Sequence, residues 1–464
     1  MLFNSFEFLL FFLPICIALY FVIIKWGKLT LARYWLLCAS LFFYSWWNPI
    51  YLPLIVASIL FNYFTGRALN KASKDSTRRG ILWGGVVLNI GLLGYFKYFN
   101  FFINNVNLLV QNQIHVSQII LPLGISFFTF QQVAYLVDSF YGKTKEYDFV
   151  SYSLFVTFFP QLIAGPIVHH KDVMPQFDKV ENQKFNAFNF SKGLYVFFMG
   201  LAKKVIIADS FAVCANAGYA STASLNFLDS WITSLSYAFQ LYFDFSGYSD
   251  MAIGLALLFN INIAINFNSP YRALNIQDFW RRWHITLSNF LRDYLYIPLG
   301  GNRVSEFNTL RNLMYTFVLG GLWHGAGWTF VFWGFLHGFG QVVFKLWKKT
   351  SIEMPNWLAW FITFQYVNIA WVFFRSSSWQ EAIQLISGMV GLRGLQGTPS
   401  VLTDLSLIPF LAIGILLLFY KNPPELATEF KTDRRHFIYL LILSVLGLLF
   451  MNSITANNFL YFDF

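Results

Sequence analysis

The sequence is short of charge. Asp, Glu, Lys and Arg supply only 12% of its 464 residues, about half the share of a soluble globular chain. That shortage excludes an ordinary water-soluble domain and assigns most of the chain to lipid. Cysteine is scarce too. Cys16, Cys38 and Cys214 lie in apolar surroundings without metal-like spacing, so no disulfide framework is expected. No positive residue precedes the first apolar run, MLFNSFEFLLFFLPICIALYFVII, and no small-residue cleavage site follows it. The run therefore reads as an uncleaved first helix. Gly-x-Ser-x-Gly and His-Glu-x-x-His motifs are absent. GLRGLQG at 391–397 is not followed by a helix pattern, which excludes a phosphate loop. His169 and His170 lack a third ligand at zinc-like spacing and read as a surface pair, so no metal site is expected. There is no internal repeat and no low-complexity tract. The longest polar stretch, 169–185, mixes charge signs and reads as a loop.

What the chain does have is apolar length and aromatics: 57% hydrophobic residues, 56 Phe and 16 Trp. A membrane-spanning helix needs about 20 apolar residues. Candidate spans, some short or interrupted by glycine, fall near 8–24, 34–48, 51–65, 81–103, 190–208, 231–260, 309–322, 328–346, 356–374, 405–420 and 436–453. Two further apolar stretches, LPLGISFFTFQQVAYLVDSFYG (121–142) and FFPQLIAGPI (158–167), are broken by Pro and Gly and read as kinked or re-entrant. Such backbone is tolerated at membrane depth only beside protein or a wet cavity. The net charge of +10 belongs to basic loops at 25–33, 66–80, 345–350 and 431–436, not to a nucleic-acid face. By the positive-inside bias these loops are cytoplasmic, and both termini are extracytoplasmic. The expected organisation is one integral membrane domain over 1–464, with 457–464 an extracytoplasmic aromatic tail.

Ionisable residues within apolar runs are the places to look for chemistry. In LGGLWHGAGWTFVFWGFLHG (319–338), His324 lies between Trp323 and Gly325. The glycines allow tight backbone and close approach of a ligand, and a neutral imidazole there is suited to take a proton from a hydroxyl. The alternative is a buried histidine bonded to a carbonyl. His337, further along, reads as packing. In QDFWRRWHITLSNFLRDYLYIPLGGNR (277–303), a helix over 281–294 would set Arg281, His284, Ser288 and Arg292 on one face. These arginines either meet lipid phosphates or bind a phosphorylated donor, for which guanidinium geometry is suited. Asp244 and Asp250 fall inside LYFDFSGYSDMAIG (241–254) and read as capping residues around a helix break at Ser246–Gly247, with an ion or proton relay as the rival.

Taken together, DFWRRWHITLSNFLRDYLYIPLGGNR, GGLWHGAGWTFVFWGFLHG, LPLGISFFTFQQVAYLVD, FPQLIAGPI and YFDFSGYSDMAIG resemble the membrane-bound O-acyltransferases. The likeness is to the bacterial branch that acylates exported cell-envelope polymers such as alginate and peptidoglycan. The resemblance implies an all-α polytopic ring of about 11 or more spans, with short or re-entrant helices around a central funnel and tunnel. It places the catalytic histidine on His324 and the second motif histidine on His284, with Trp323 and Gly325 lining the tunnel. It also implies acetyl-CoA as donor substrate, no further cofactor, and a bacterial cytoplasmic membrane location. Arg281, Arg282, Arg292 and Ser288 are donor-binding candidates by their chemistry.

The chain ends NNFLYFDF. One reading is an aromatic belt at the bilayer surface. The other follows from the resemblance: Tyr461 enters the tunnel, accepts the acetyl group, and passes it to an extracytoplasmic partner of the SGNH acetyltransferase type. The rival functions are a transporter or flippase, for which no pair of related halves is visible, and a scaffold for polysaccharide export, which needs no His324 in a glycine-rich pocket.

Overall fold

The computed structural model describes residues 1–110, 114–117, 119–144, 147–395, 414, 416, 422–451 and 459–460; among these the regular structure is entirely helical. Runs without charge cannot leave backbone N–H and C=O groups unpaired in lipid, and the helix pairs them within one segment. Among the described residues four helices are long and apolar enough to cross a bilayer, Glu7–Lys25, Pro49–Lys71, Asp75–Val110 and Asn356–Arg375, and Leu29–Ser45 is a shorter apolar one. The runs at 190–208, 231–260, 309–322, 328–346 and 436–453 fall on Ala187–Ala202 with the π turn Lys203–Ala208, and on Phe227–Leu258, Glu306–His324, Trp328–Trp347 and Arg434–Phe450. The expected span at 405–420 lies outside the described residues except for Gly414 and Leu416. Large apolar side chains such as Phe11, Trp83, Phe102 and Leu441 are more than half exposed, as a lipid-facing surface requires.

The chain forms two compact units: Met1–Phe197 with Tyr248–Ala264 and Lys431–Leu440, and Phe198–Gly247 with Ile265–Phe430 and Leu441–Phe464. In the first, the helix Ile125–Phe140 packs on Leu52–Lys71 and Asp75–Leu93. Asn62 and Asn89 exchange amide hydrogen bonds at 2.7 and 3.1 Å inside this layer, polar glue of the kind that joins membrane helices. The 121–142 stretch turns at Gly124 and is then a continuous helix. The 158–167 stretch makes one short turn, Phe159–Leu162, and continues without regular structure through Val168. This non-helical backbone is buried; the Gly165 N–H donates to the Gln161 carbonyl at 3.2 Å, and the Ser40 hydroxyl accepts the N–H of Phe159 at the start of the turn at 3.2 Å.

Two expectations are corrected in this unit. The polar stretch 169–185 is a helix, His170–Asp178, and a short turn, Val180–Gln183. His170 is no surface residue; it is 1% exposed, with Nε2 3.1 Å from Asp138 Oδ2. Its amphipathic surroundings hide that from a reading of polarity alone.

The second unit is built on a helical hairpin, Glu306–His324 and Trp328–Trp347, with Asn356–Arg375 packed on the latter. Gly321 and Gly334 bring the two helices together. A Cβ at Gly334 would collide with the Phe317 carbonyl and sit 3.1 Å from Gly321 Cα. The break expected at Ser246–Gly247 is absent, because Phe227–Leu258 runs through it as one helix.

Candidate active site

The two catalytic histidine candidates lie together in the second unit. His324 ends its helix, where Gly325 turns the chain into extended backbone. Its ring is 3% exposed and is walled by Trp323, Trp333 and Phe374, with ring centroids at 4.9, 5.0 and 5.4 Å. The His284 ring lies 6.3 Å from that of His324. Trp323 and Gly325 are buried beside His324.

His284 does not stand on a helix face. The expected helix over 281–294 is two short ones, Ile276–Arg282 and Ile285–Leu291, continued by a π turn, Arg292–Tyr296. Between them Trp283 is extended and His284 is left-handed, at φ 43°. A non-glycine residue held there is strained, so something must hold it. Asn266 does. Its main-chain oxygen accepts the Ile285 N–H at 2.9 Å, and its side-chain oxygen accepts the Thr286 N–H at 3.2 Å and hydroxyl at 2.9 Å. These donors identify Oδ1 as the acceptor. His284 Nδ1, 3.2 Å from the same atom, must therefore donate. The imidazole is thus the Nδ1–H tautomer, and Nε2 carries the lone pair.

The four donor-binding candidates separate. Arg281, Ser288 and Arg292 line one cleft of about 660 Å³, together with Trp280, Tyr296, Asn302, Lys345 and Lys348. Arg282 is not among its lining residues; its Nε lies 3.0 Å from both oxygens of Asp278 and ties down the last turn of its own helix. Arg292 is exposed and rests on Asp293 at 2.7 and 3.0 Å. The segment YIPLGGNR shapes the rim: Gly300 and Gly301 take φ of 104° and 53°, which turns the chain so that Asn302 accepts the Tyr296 hydroxyl at 2.8 Å. Lys345 and Lys348 are cations that sequence reading placed only in a basic loop. Lys345 stands in the last turn of Trp328–Trp347 and Lys348 caps it, and their spacing of three is the signal that could have added them.

His337 is packed, with Trp280 Nε1–H donating to its Nδ1 at 3.1 Å inside an aromatic stack. Tyr461 lies outside the described residues, but its neighbours Phe459 and Leu460 do not. Phe459 is 3% exposed with its ring 6.0 Å from Phe245, whose ring is 4.8 Å from His284. The sequence motifs do not single out Lys204 or Asn266; for Lys204 a signal is present, a lysine inside an apolar run.

These features define a multi-pass helical membrane protein with two buried histidines close together. Residues 4–379 match the family model described as MBOAT, the membrane-bound O-acyltransferase family. The chain belongs to that family and is an O-acyltransferase. It is 50% identical over 425 residues to the peptidoglycan O-acetyltransferase of Helicobacter pylori, covering 85% of this chain and 81% of the relative. It is 38% identical to the probable alginate O-acetylase AlgI of Pseudomonas putida over the full length of both. A more distant relative, the teichoic acid D-alanyltransferase of Streptococcus thermophilus, is 30% identical over 50% of this chain and 59% of its own.

Proposed function

We propose that this chain moves acetyl groups from cytoplasmic acetyl-CoA across a bacterial inner membrane for O-acetylation of an exported cell-envelope polysaccharide. In this reading residues 1–464 act as one acyltransferase domain with about eleven spans around a funnel and tunnel, and both termini face outward. The observation that carries it is the closeness of the two histidines, with ring centroids at 6.3 Å. Rings at that separation are close enough for one acceptor hydroxyl to reach a nitrogen of each where those nitrogens face it. The cleft holding Arg281, Ser288, Arg292, Lys345 and Lys348 supplies the cations that a nucleotide phosphate donor needs. The names of the similar proteins, peptidoglycan O-acetyltransferase and alginate O-acetylase, support acetyl as the group and an envelope polysaccharide as its destination.

The acceptor on this chain is Tyr461. His324 takes the phenol proton. The phenolate oxygen bonds to the thioester carbonyl carbon, the C–S bond breaks, and the departing thiolate takes up the proton to leave as CoA thiol. His284, fixed as the Nδ1–H tautomer by Asn266, orients the hydroxyl through Nε2. A phenol, with a pKa of about 10, is activated more readily than an alcohol and is a better leaving group in the next step. There an SGNH-type partner outside the membrane takes the acetyl group and the phenol is restored. The packing of Phe459 on Phe245, and of Phe245 on His284, supports a tail that reaches the histidines.

The test is mass spectrometry of the purified protein after incubation with acetyl-CoA. An acetyl group on Tyr461 that is absent from His324→Ala and Tyr461→Phe is the expected result. An unmodified wild-type tail, with transfer to added partner that Tyr461→Phe still supports, would replace the relay with direct handover.

A further inference from the structure

One buried ionic cluster takes no part in that chemistry. Lys204 Nζ lies 2.5 Å from Asp209 Oδ1 and 3.0 Å from Asp244 Oδ1. Lys204 and Asp244 are 3% and 2% exposed. The geometry that joins them is local and specific. Lys204 belongs to the π turn Lys203–Ala208, a form that re-aims side chains within a helix. Gly247, on the helix carrying Asp244, admits the backbone beside it: a Cβ there would stand 2.9 Å from Gly200 O and 3.2 Å from Lys204 N.

Two carboxylates facing one ammonium hold more acceptor oxygens than that ammonium can serve, and buried carboxylate oxygens demand donors. One donor is the end of the chain itself. The main-chain N–H of Leu460 donates to Asp244 Oδ2 at 3.1 Å across 216 positions of sequence. The preceding Phe459 ring is buried against Phe245, the residue following Asp244.

We propose that Lys204, Asp209 and Asp244 form a clasp for the C-terminal tail. Asp244 grips the main chain at Leu460, Phe245 seats the Phe459 ring, and Lys204 positions the Asp244 carboxylate. The inference rests on the tail being the acyl carrier and adds how it is held. Both contacts avoid the tyrosine oxygen. The clasp is therefore indifferent to acylation and holds the tail alike before and after the group arrives. It also accounts for a carboxylate within the aromatic run LYFDF: the acid recognises a peptide group while its aromatic neighbour takes the anchor.

Hydrogen exchange of the tail amides in the full-length protein, read by mass spectrometry, tests this. Leu460→Pro removes the donated N–H and leaves the buried cluster whole; Leu460→Ala trims the side chain but keeps the N–H. Loss of a charge-assisted bond predicts tail exchange at least about tenfold faster in Leu460→Pro, with Leu460→Ala near wild type and His324→Ala still protected. Tyr461 acetylation at saturating acetyl-CoA falls in Leu460→Pro while the KM for acetyl-CoA holds. Asp244→Leu, if its melting temperature shows a folded protein, releases the tail in the same way. Equal tail protection in wild type and Leu460→Pro overturns the clasp whatever the acetylation shows. Protection that depends on the Leu460 N–H, in a wild type that never acetylates Tyr461, keeps the clasp as an anchor and overturns the carrier reading alone.

Discussion

Asn266 is the residue on which the geometry of His284 depends, and Asn266→Ala is the perturbation that isolates it. Three donors converge on its side-chain oxygen: the Thr286 N–H, the Thr286 hydroxyl and His284 Nδ1–H, at 3.2, 2.9 and 3.2 Å. All belong to buried residues. Each donor left unsatisfied costs about 1–3 kcal/mol. The hydroxyl can rotate to another acceptor, so the loss is set by the two N–H groups and amounts to about 2–6 kcal/mol of stability. Activity falls in the folded fraction as well. Without Oδ1 the imidazole is free to turn and to exchange tautomers, and a misdirection of about 1.4–2.8 kcal/mol slows transfer about ten- to a hundredfold. Asn266→Asp keeps an acceptor in place and holds the tautomer, so it stays closer to wild type in acetyl transfer than alanine does. Thr286→Val removes only the hydroxyl and costs about 1 kcal/mol. The assay pairs melting temperature in detergent with the rate of acetyl transfer from acetyl-CoA. A folded Asn266→Ala that transfers at the wild-type rate, or Ala and Asp variants that fall equally, would refute the argument.

Other consequences follow from the same geometry. Gly334→Ala drives a Cβ into the Phe317 carbonyl and costs about 1–3 kcal/mol of hairpin stability, measured as a lower melting temperature. Arg281→Ala raises the KM for acetyl-CoA about three- to tenfold, whereas Arg282→Ala, whose guanidinium rests on Asp278, lowers stability and moves KM less. Asp148 caps the helix Phe149–Thr157. Burial alone would raise its carboxyl, but the Ser151 hydroxyl, the Ser151 and Val150 N–H groups and Arg33 together hold it below the ordinary range. Its contribution is complete above pH about 3.9 and is lost as pH falls through the lowered value. Asp148→Asn retains the cap and flattens that acid-side loss of melting temperature, while Asp148→Ala costs about 1 kcal/mol.

Apolar length carried most of the helix positions in the sequence. The runs at 328–346 and 356–374 meet Trp328–Trp347 and Asn356–Arg375 to within a residue, because in lipid an apolar segment of that length has one way to satisfy its backbone. The same reasoning failed over 281–294. Steps of three and four between Arg281, His284, Ser288 and Arg292 suit a single helix, and nothing local in them announces a left-handed residue. The cause is Asn266, 18 positions from His284, and a periodicity argument has no access to it. His170 failed for the opposite reason. Its neighbourhood is polar, and its burial comes from Asp138, 32 positions away on another helix.

Motifs identify which residues matter without saying in what order they touch. DFWRRWHITLSNF, GGLWHGAG and YFDFSGYSD are separate strings in the sequence; in the second unit they become one chain of contacts, from Phe459 to Phe245, to His284, to His324. Every link joins residues far apart in sequence, so each rests on packing and none on local propensity. That arrangement has a chemical consequence. His324 is walled by Trp323, Trp333 and Phe374, side chains that exclude water without competing for a proton. On the proposed function, a thioester held there would meet the acceptor oxygen but little water, and hydrolysis of the donor would be suppressed. Widening the wall with Phe374→Ala should therefore raise acetyl-CoA hydrolysis relative to acetyl transfer. Measured as free CoA released per acetyl group transferred, an unchanged ratio would show that the aromatic wall packs the helices and plays no part in guarding the donor.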